Sequence, residues 1–322
     1  MITPHKRKAV KQARLKLASL CLLGLVLCGC VSHTSVRKDL KAGKSYEPVK
    51  PASLSEYIRA VYKVEHENNN KQAEERAALL AQSPELADLS SRVDRNPADR
   101  DAAGRLAAAY IDHQLFWSAY ELLTSAQAAS PDDLAINLNL ARVWDGWGEY
   151  DLALSYGERA IGTGAASAQA YEVLGRIHLH RSDPAQAIAS FTEAAQRENK
   201  PSILSNLGYS YILAGDWETA RTTLEKAVEL DDAMAEAHNN LAIVLTKLGD
   251  EEGALQQLSK TGKPPVAMNN MGVLYLQENK LDRARYFFEE AVRLEPTYEI
   301  ALQNLRAVEL QVHPAASEGS TK

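Results

Sequence analysis

The sequence repeats with a period of about 34 residues from Arg100 to its C-terminal end, and this period constrains the fold more than any other feature. A repeat of this length is typical of solenoids, in which each unit is a pair of antiparallel helices stacked on the next pair. The six units begin near Arg100, Leu134, Ala168, Pro201, Ala235 and Pro265, and one further helix begins near Glu299. The sequence therefore predicts an all-α fold.

Two positions in each unit carry only small residues. The eighth position is Ala107, Ala141, Gly175, Gly208, Ala242 or Gly272. The twentieth position is Ala119, Ala153, Ala187, Ala220, Ala254 or Ala284. Two helices joined by a short turn approach closely only where neither has a bulky side chain. We therefore expect small residues of the two helices to meet at each crossing, with large side chains around them.

The fifth unit is shorter than the others. It reaches the next start after 30 residues, through the segment 261–265, and the alanine expected near its end is Thr261. Its second helix is therefore predicted to be short.

Two segments resemble the tetratricopeptide repeat closely: Ser-Asn-Leu-Gly-Tyr at 205–209 and Asn-Met-Gly-Val-Leu-Tyr at 270–275. The resemblance extends over roughly two thirds of the chain. It implies a right-handed superhelical α-solenoid with a concave groove for protein or peptide partners. In this family, the second, fifth, sixth, ninth, twelfth and thirteenth positions of each first helix line the groove.

The sixth position of the first helices carries a series of asparagines, Asn139, Asn206, Asn240, Asn270 and Asn304. Stacked side-chain amides could bind an extended peptide backbone, but asparagine at this position also has local structural roles in such repeats. Toward the C-terminus, the ninth and twelfth positions become apolar, as Tyr209, Ile212, Ile243, Val273 and Leu276. We expect this half of the groove to take an extended or helical segment with apolar side chains. Packing of some of these side chains between neighbouring first helices is the alternative.

The N-terminus has the pattern of an exported protein. Six cations precede residue 20, and the apolar run 17–27 is shorter than the roughly 20 residues that span a bilayer, as in a secretory signal. The run ends in Leu27-Cys28-Gly29-Cys30, which resembles the bacterial lipobox. The resemblance implies removal of residues 1–29 and lipidation of Cys30. An uncleaved anchor, or a signal with incidental cysteines, is the alternative.

Processing at Cys30 would change the charge and the cysteine content of the chain. It leaves 30 Lys and Arg against 42 Asp and Glu, a net charge of −12, which disfavours nonspecific nucleic-acid binding. No cysteine besides Cys30 would remain for a disulfide or a thiolate metal site. Because Val31 and Ser32 follow the cysteine, the lipobox resemblance implies the periplasmic face of the outer membrane.

The rest of the chain divides into four parts. Residues 30–52 are predicted to be a flexible tether, 53–98 an N-terminal helical cap, 99–312 the six repeats with a C-terminal capping helix, and 313–322 a disordered tail. The cap includes an amphipathic helix at 54–64, for which docking of a partner is the alternative role.

No catalytic constellation is evident. His178 and His180 lie about 200° apart around a helix and cannot chelate one metal ion, and no phosphate loop or nucleophile elbow is present. We therefore predict a non-enzymatic scaffold without cofactor or metal, anchored by Cys30. The segment 202–248 resembles lipoproteins of the pilotin and tight-adherence (Tad) pilus-assembly type. An adaptor for cell-wall hydrolases or synthases, or an accessory subunit of an envelope enzyme complex, remains open.

Overall fold

The computed structural model describes residues 69–162 and 167–312, which form fifteen helices and no strand. The helices are α1 (Asn69–Gln82), α2 (Pro84–Arg95), α3 (Arg100–Asp112), α4 (Phe116–Ala129), α5 (Leu134–Gly146), α6 (Tyr150–Gly162), α7 (Ala168–His180), α8 (Pro184–Arg197), α9 (Pro201–Ala214), α10 (Trp217–Leu230), α11 (Ala235–Leu248), α12 (Glu251–Thr261), α13 (Pro264–Gln277), α14 (Leu281–Leu294) and α15 (Glu299–Val312). The all-α prediction is confirmed.

Several predicted features lie outside the described residues. These are the signal peptide, Cys30, the tether, the helix at 54–64 and the tail at 313–322. Among the helices that are described, none is both long and apolar enough to cross a membrane.

The helix starts follow the repeat. Five of the six first helices, and the lone helix α15, begin at the residue that the period predicts, while α13 begins one residue early, at Pro264. Aspartates cap several of the second helices: Asp183 accepts a hydrogen bond from the backbone N–H of Gln186, and Asp216 accepts one from Thr219. The short second helix of the fifth unit is also observed, because α12 has 11 residues where α10 and α14 have 14.

The described chain forms two compact units, an N-terminal unit of residues 69–199 and a C-terminal unit of residues 200–312. The N-terminal unit contains α1 to α8, and the C-terminal unit contains α9 to α15. Within each unit, the first helix of a pair packs on its second helix and on the first helix of the next pair. One face of each unit is therefore built from neighbouring first helices.

The helix crossings differ in one respect from the expectation. The alanines at the eighth and twentieth positions are fully buried, as predicted. However, a Cβ atom added to Gly175 would lie 2.7 Å from the ring of Phe191, and one added to Gly272 would lie 2.5 Å from Phe288. The nearest neighbour of each glycine is thus the large side chain at the twenty-fourth position and not the alanine of the partner helix. Small residues face large ones across the crossing.

The eighth position is always small, whereas the twenty-fourth position carries a large side chain in five of the six units. The six pairs are Ala107–Leu123, Ala141–Gly157, Gly175–Phe191, Gly208–Leu224, Ala242–Leu258 and Gly272–Phe288. Among these six pairs, phenylalanine occurs only opposite glycine. Gly157 instead packs against the next unit, because an added Cβ would lie 2.6 Å from Leu174. Each phenylalanine at the twenty-fourth position is thus accommodated by a facing glycine, as close packing requires.

The turn inside each pair has one recurring backbone conformation. The fifteenth residue of every unit has a positive φ, between 59° and 87°: Gln114, Gly148, Ser182, Gly215, Gly249 and Asn279. Glycine adopts this left-handed conformation without steric cost, which the other residue types do not. The turn is thus set by the register of the repeat and is imposed even on Gln114 and Ser182.

A polar cluster at Glu251 ties the short helix α12 to its neighbours. Tyr275 Oη on α13 and Arg283 Nη2 on α14 both donate to the Glu251 carboxylate. Burial and the hydrogen bond to Glu251 raise the pKa of Tyr275 to about 12. Burial also raises the pKa of Glu251, but the hydrogen bonds from Arg283 and Tyr275 outweigh it and hold that pKa below its usual value. The shortened unit is thus joined to the sixth unit.

We expect Glu251→Gln to lower the free energy of unfolding by about 1 kcal/mol near neutral pH, because an amide replaces a charged acceptor that is partly exposed. A carboxylate with a lowered pKa stabilises the fold above its unfolded-state pKa and loses this effect as the pH falls through its folded-state pKa. The difference from wild type should therefore vanish in acid. Urea unfolding at neutral and acidic pH measures it, and a difference that persists unchanged in acid would contradict the assignment.

Candidate binding site

The predicted groove residues all lie on first helices of the C-terminal unit. They are Asn206, Tyr209 and Ile212 on α9, Asn240 and Ile243 on α11, Asn270, Val273 and Leu276 on α13, and Asn304 on α15. Because these helices pack side by side, the structure brings the residues onto one series of adjacent helices. We call this surface the first-helix face of the C-terminal unit.

The apolar members of this face differ in exposure. Tyr209 is 37% exposed, and Ile243, Val273 and Leu276 are half-buried. Ile212 is only 9% exposed and belongs to the core of the unit, so the expectation that it lines the groove needs correction. Its side chain packs between helices and leaves little surface for a partner.

Three exposed apolar residues of this face were missed. Leu213, Ile300 and Leu310 are 46%, 55% and 58% exposed, at the thirteenth, second and twelfth positions of their helices. In the described chain, all eight exposed large hydrophobic side chains belong to the C-terminal unit, and four of them occupy groove positions: Tyr209, Leu213, Ile300 and Leu310. Single exposed hydrophobic residues are ordinary, but Tyr209 and Leu213 are one turn apart on α9 and form an exposed apolar pair. Because all three missed residues are at positions that line the groove in such repeats, the repeat register alone could have identified them.

The asparagine series connects neighbouring first helices. Asn240 Nδ2 lies 3.4 Å from Ser205 Oγ, and Asn304 Nδ2 donates to Asn269 Oδ1 at 2.9 Å. In the N-terminal unit, Asn139 Nδ2 donates to the Gly104 carbonyl at 2.9 Å. Each bond reaches back 35 residues, to the fifth position of the preceding first helix. These amide donors are engaged within the protein, which favours the structural role over binding of a peptide backbone.

The first-helix face of the N-terminal unit is polar. Arg142 Nη2 donates to Asp112 at 2.6 Å, and His180 Nδ1 lies 2.7 Å from the buried carboxylate of Asp145. His178, two residues earlier, points into the packed side of the helix, where burial lowers its pKa. Within the residues that the structure describes, no three His, Cys, Asp or Glu side chains come together in a way that could hold a metal ion.

Comparison with protein families identifies the repeats. The profile described as TPR repeat matches residues 208–249, and two profiles described as Tetratricopeptide repeat match residues 148–202 and 265–298. This chain contains tetratricopeptide repeats. Proteins with such repeats bind protein or peptide partners, and the helix pairs and their crossings described above are the physical basis of the match.

Three characterised proteins are similar to parts of the chain. Type IV pilus assembly protein PilF of Pseudomonas aeruginosa is 32% identical over 117 residues, which is 34% of this chain and 46% of PilF. Photosystem I assembly protein Ycf3 of Prochlorococcus marinus is 27% identical over 141 residues, 37% of this chain and 82% of Ycf3. Tetratricopeptide repeat protein 8 of Caenorhabditis elegans is 22% identical over 165 residues, 49% of this chain and 33% of that protein. The matches thus span less than half of PilF and of the nematode protein.

Solved structures share the fold of the tetratricopeptide repeats. Pseudomonas aeruginosa PilF superposes with a TM-score of 0.52 at 20% identity, covering 65% of this chain and 97% of PilF. A chain from the crystal structure of the APC/C hetero-tetramer Cut9–Hcn1 superposes with a TM-score of 0.56 at 16% identity, covering 78% of this chain and 52% of that chain. At this level of identity, the likeness concerns the fold.

Proposed function

We propose that this protein is a lipid-anchored scaffold at the periplasmic face of the outer membrane, where it holds protein partners during assembly of a pilus, a secretion system or another envelope machine. The observation that carries the proposal is the set of exposed apolar side chains at groove positions of the C-terminal unit, with Tyr209 and Leu213 one turn apart on α9. The similarity to a type IV pilus assembly protein supports the assembly role.

Apolar contacts provide the affinity in this proposal. Burial of a large apolar side chain contributes about 1.5–3 kcal/mol, whereas a net hydrogen bond contributes about 1 kcal/mol. The amide donors of Asn240 and Asn304 already bind neighbouring helices. Tyr209, Leu213 and the half-buried Val273 are therefore the residues on which partner binding depends most.

A charge placed on this face tests the proposal. We expect Tyr209→Glu with Leu213→Glu to reduce recovery of the partner at least tenfold after crosslinking in intact cells and affinity purification, because burial of a carboxylate in an apolar contact is costly. Tyr286→Glu is the matched control, since Tyr286 is 47% exposed on the second helix α14 of the same unit. Equal recovery from both variants, with unchanged helicity, would reject the first-helix face as the binding site.

The anchor has a separate test. Mass spectrometry of the protein purified from the cell envelope should find an N-terminal peptide that begins at Cys30 and carries a diacylglyceryl group. An unmodified Cys30, or a chain that retains residues 1–29, would reject the lipid anchor while leaving the partner-binding role intact.

A further inference from the structure

Asn270 departs from the hydrogen-bonding register of the asparagine series. Elsewhere in the series, each side-chain bond between first helices reaches back 35 residues, from the sixth position of one helix to the fifth position of the helix before it. Asn270 Nδ2 makes no such bond and has no acceptor among the residues that the structure describes. Asn206 differs from it, because α9 is the first helix of its unit and has no earlier first helix there to reach.

The shortened fifth unit accounts for the missing bond. The fifth position of the preceding first helix is Asn239, which lies only 31 residues before Asn270. Asn239 Oδ1 accepts a hydrogen bond from Thr261 Oγ1 at 3.2 Å, and Thr261 is the residue that replaces the alanine expected near the end of this unit. The acceptor that the repeat would offer to Asn270 is therefore already engaged by the short helix α12.

The neighbouring amides leave the nitrogen of Asn270 as the free atom. Asn304 Nδ2 donates to Asn269 Oδ1 at 2.9 Å, so the other amide atom of Asn269, Nδ2, is the one that faces Asn270 Oδ1, at 3.5 Å. Asn270 is half-buried, and its Nδ2 is not one of the buried side-chain atoms that lack a partner. The nitrogen therefore keeps accessible surface, and a partner molecule can reach it.

The surface around this amide is apolar and uncharged. Val273 and Leu276 follow Asn270 on α13, and Ile243 lies on the adjacent helix α11; all three are half-buried. None of the groove positions of α13 or α15 carries a charged residue. A segment that covers this surface therefore meets apolar side chains and one free amide donor, and no charge favours an acidic or a basic segment.

This free donor distinguishes between an extended and a helical partner segment. The backbone carbonyls of an α-helix are bonded within the helix, and its apolar face offers no acceptor. Such a face would remove water from Asn270 Nδ2 without replacing it, which is unfavourable. The carbonyls of an extended segment are free, and its alternate side chains point to one side. Only the extended segment supplies both an acceptor and apolar contacts.

We infer that the first-helix face of the C-terminal unit binds an extended, uncharged segment of a partner protein, and that a backbone carbonyl of this segment accepts a hydrogen bond from Asn270 Nδ2. Apolar side chains of the segment then contact Val273 and Leu276. This inference rests on the proposed partner-binding function and adds the conformation of the bound segment. It gives Asn270 a binding role, whereas Asn240 and Asn304 join helices.

Defined peptides test the inference. Random dodecapeptides displayed on phage are selected on the full-length protein, and clones that also bind the variant with Tyr209→Glu and Leu213→Glu are removed. In each remaining peptide, the backbone amides are replaced one at a time by esters, whose carbonyls are weaker acceptors. We expect Asn270→Ala to weaken the parent peptides about fivefold, as loss of one net hydrogen bond does. For one ester position, this effect should fall below about twofold.

Asn304→Ala is the matched control, because it removes the same group where the amide is bonded to Asn269. Its effect on affinity should be the same for every ester. An unchanged affinity of Asn270→Ala, or an effect that no ester alters, would overturn the inference, while the dependence of the peptides on Tyr209 and Leu213 would keep the proposed function. If no selected peptide depends on those two residues, both fail.

The bound conformation and the stability of the variants give two further readouts. The Cα chemical shifts of a ¹³C-labelled peptide should be those of an extended chain when it is bound, and helical shifts would overturn the inference. Asn270→Ala should keep the wild-type melting temperature, whereas Asn304→Ala should lower it by removing an internal hydrogen bond. An equal fall for both variants would show that Asn270 is satisfied within the protein, and would also overturn the inference.

Discussion

Replacement of Phe288 by alanine is expected to lower the free energy of unfolding by about 3–5 kcal/mol. Phe288 has no exposed surface and fills the space left by Gly272 where α13 and α14 cross. Removal of the ring loses its burial and leaves a cavity that a helix crossing cannot close without moving a whole helix. Urea unfolding followed by circular dichroism measures the loss.

The control for this variant is Leu294→Ala on the same helix. Leu294 is 41% exposed, so its truncation should cost less than about 1 kcal/mol. If the two variants lost equal stability, the crossing would not be the place where the packing energy of this pair is concentrated.

Gly272→Ala is expected to destabilise the protein by about 1–3 kcal/mol, although alanine is the better helix former by about 1 kcal/mol. The added methyl would lie 2.5 Å from the Phe288 ring, well inside contact distance. Steric overlap therefore outweighs the gain in helix propensity. Urea unfolding again measures the change.

A second substitution should recover part of this loss. The fifth unit already combines Ala242 with Leu258 at the equivalent positions, so Phe288→Leu should make room for the new methyl group in Gly272→Ala. Gly162→Ala is the control for Gly272→Ala, because none of the described residues lies within 4 Å of a Cβ added there. A gain of stability for Gly272→Ala alone would mean that this crossing is looser than described.

The period predicted the fold well because helix starts and buried positions repeat with it. The start of α9 at Pro201 and the complete burial of Ala220 follow from residue type and register alone. The direction in which each Cβ points does not follow from residue type and register. The pairing of Gly272 with Phe288, and the left-handed backbone of Ser182, depend on how two helices are rotated against each other, which a list of spacings does not specify.

The candidate site was predicted less completely than the fold. Tyr209 was identified, but Leu213 on the next turn was missed and Ile212 was placed on the surface although it lies in the core. Whether a first-helix side chain faces a partner or the adjacent helix is decided by helix rotation, to which the repeat pattern is insensitive.

The most direct test of the central claim is site-specific photo-crosslinking in intact cells. A photoreactive amino acid replaces Tyr209 on the first-helix face of the C-terminal unit, or Tyr286 on the second helix α14, which is exposed to a similar extent. We predict a discrete protein adduct from position 209 and none from position 286. An adduct from 286 with none from 209 would contradict the assignment of the first helices as the partner-binding surface.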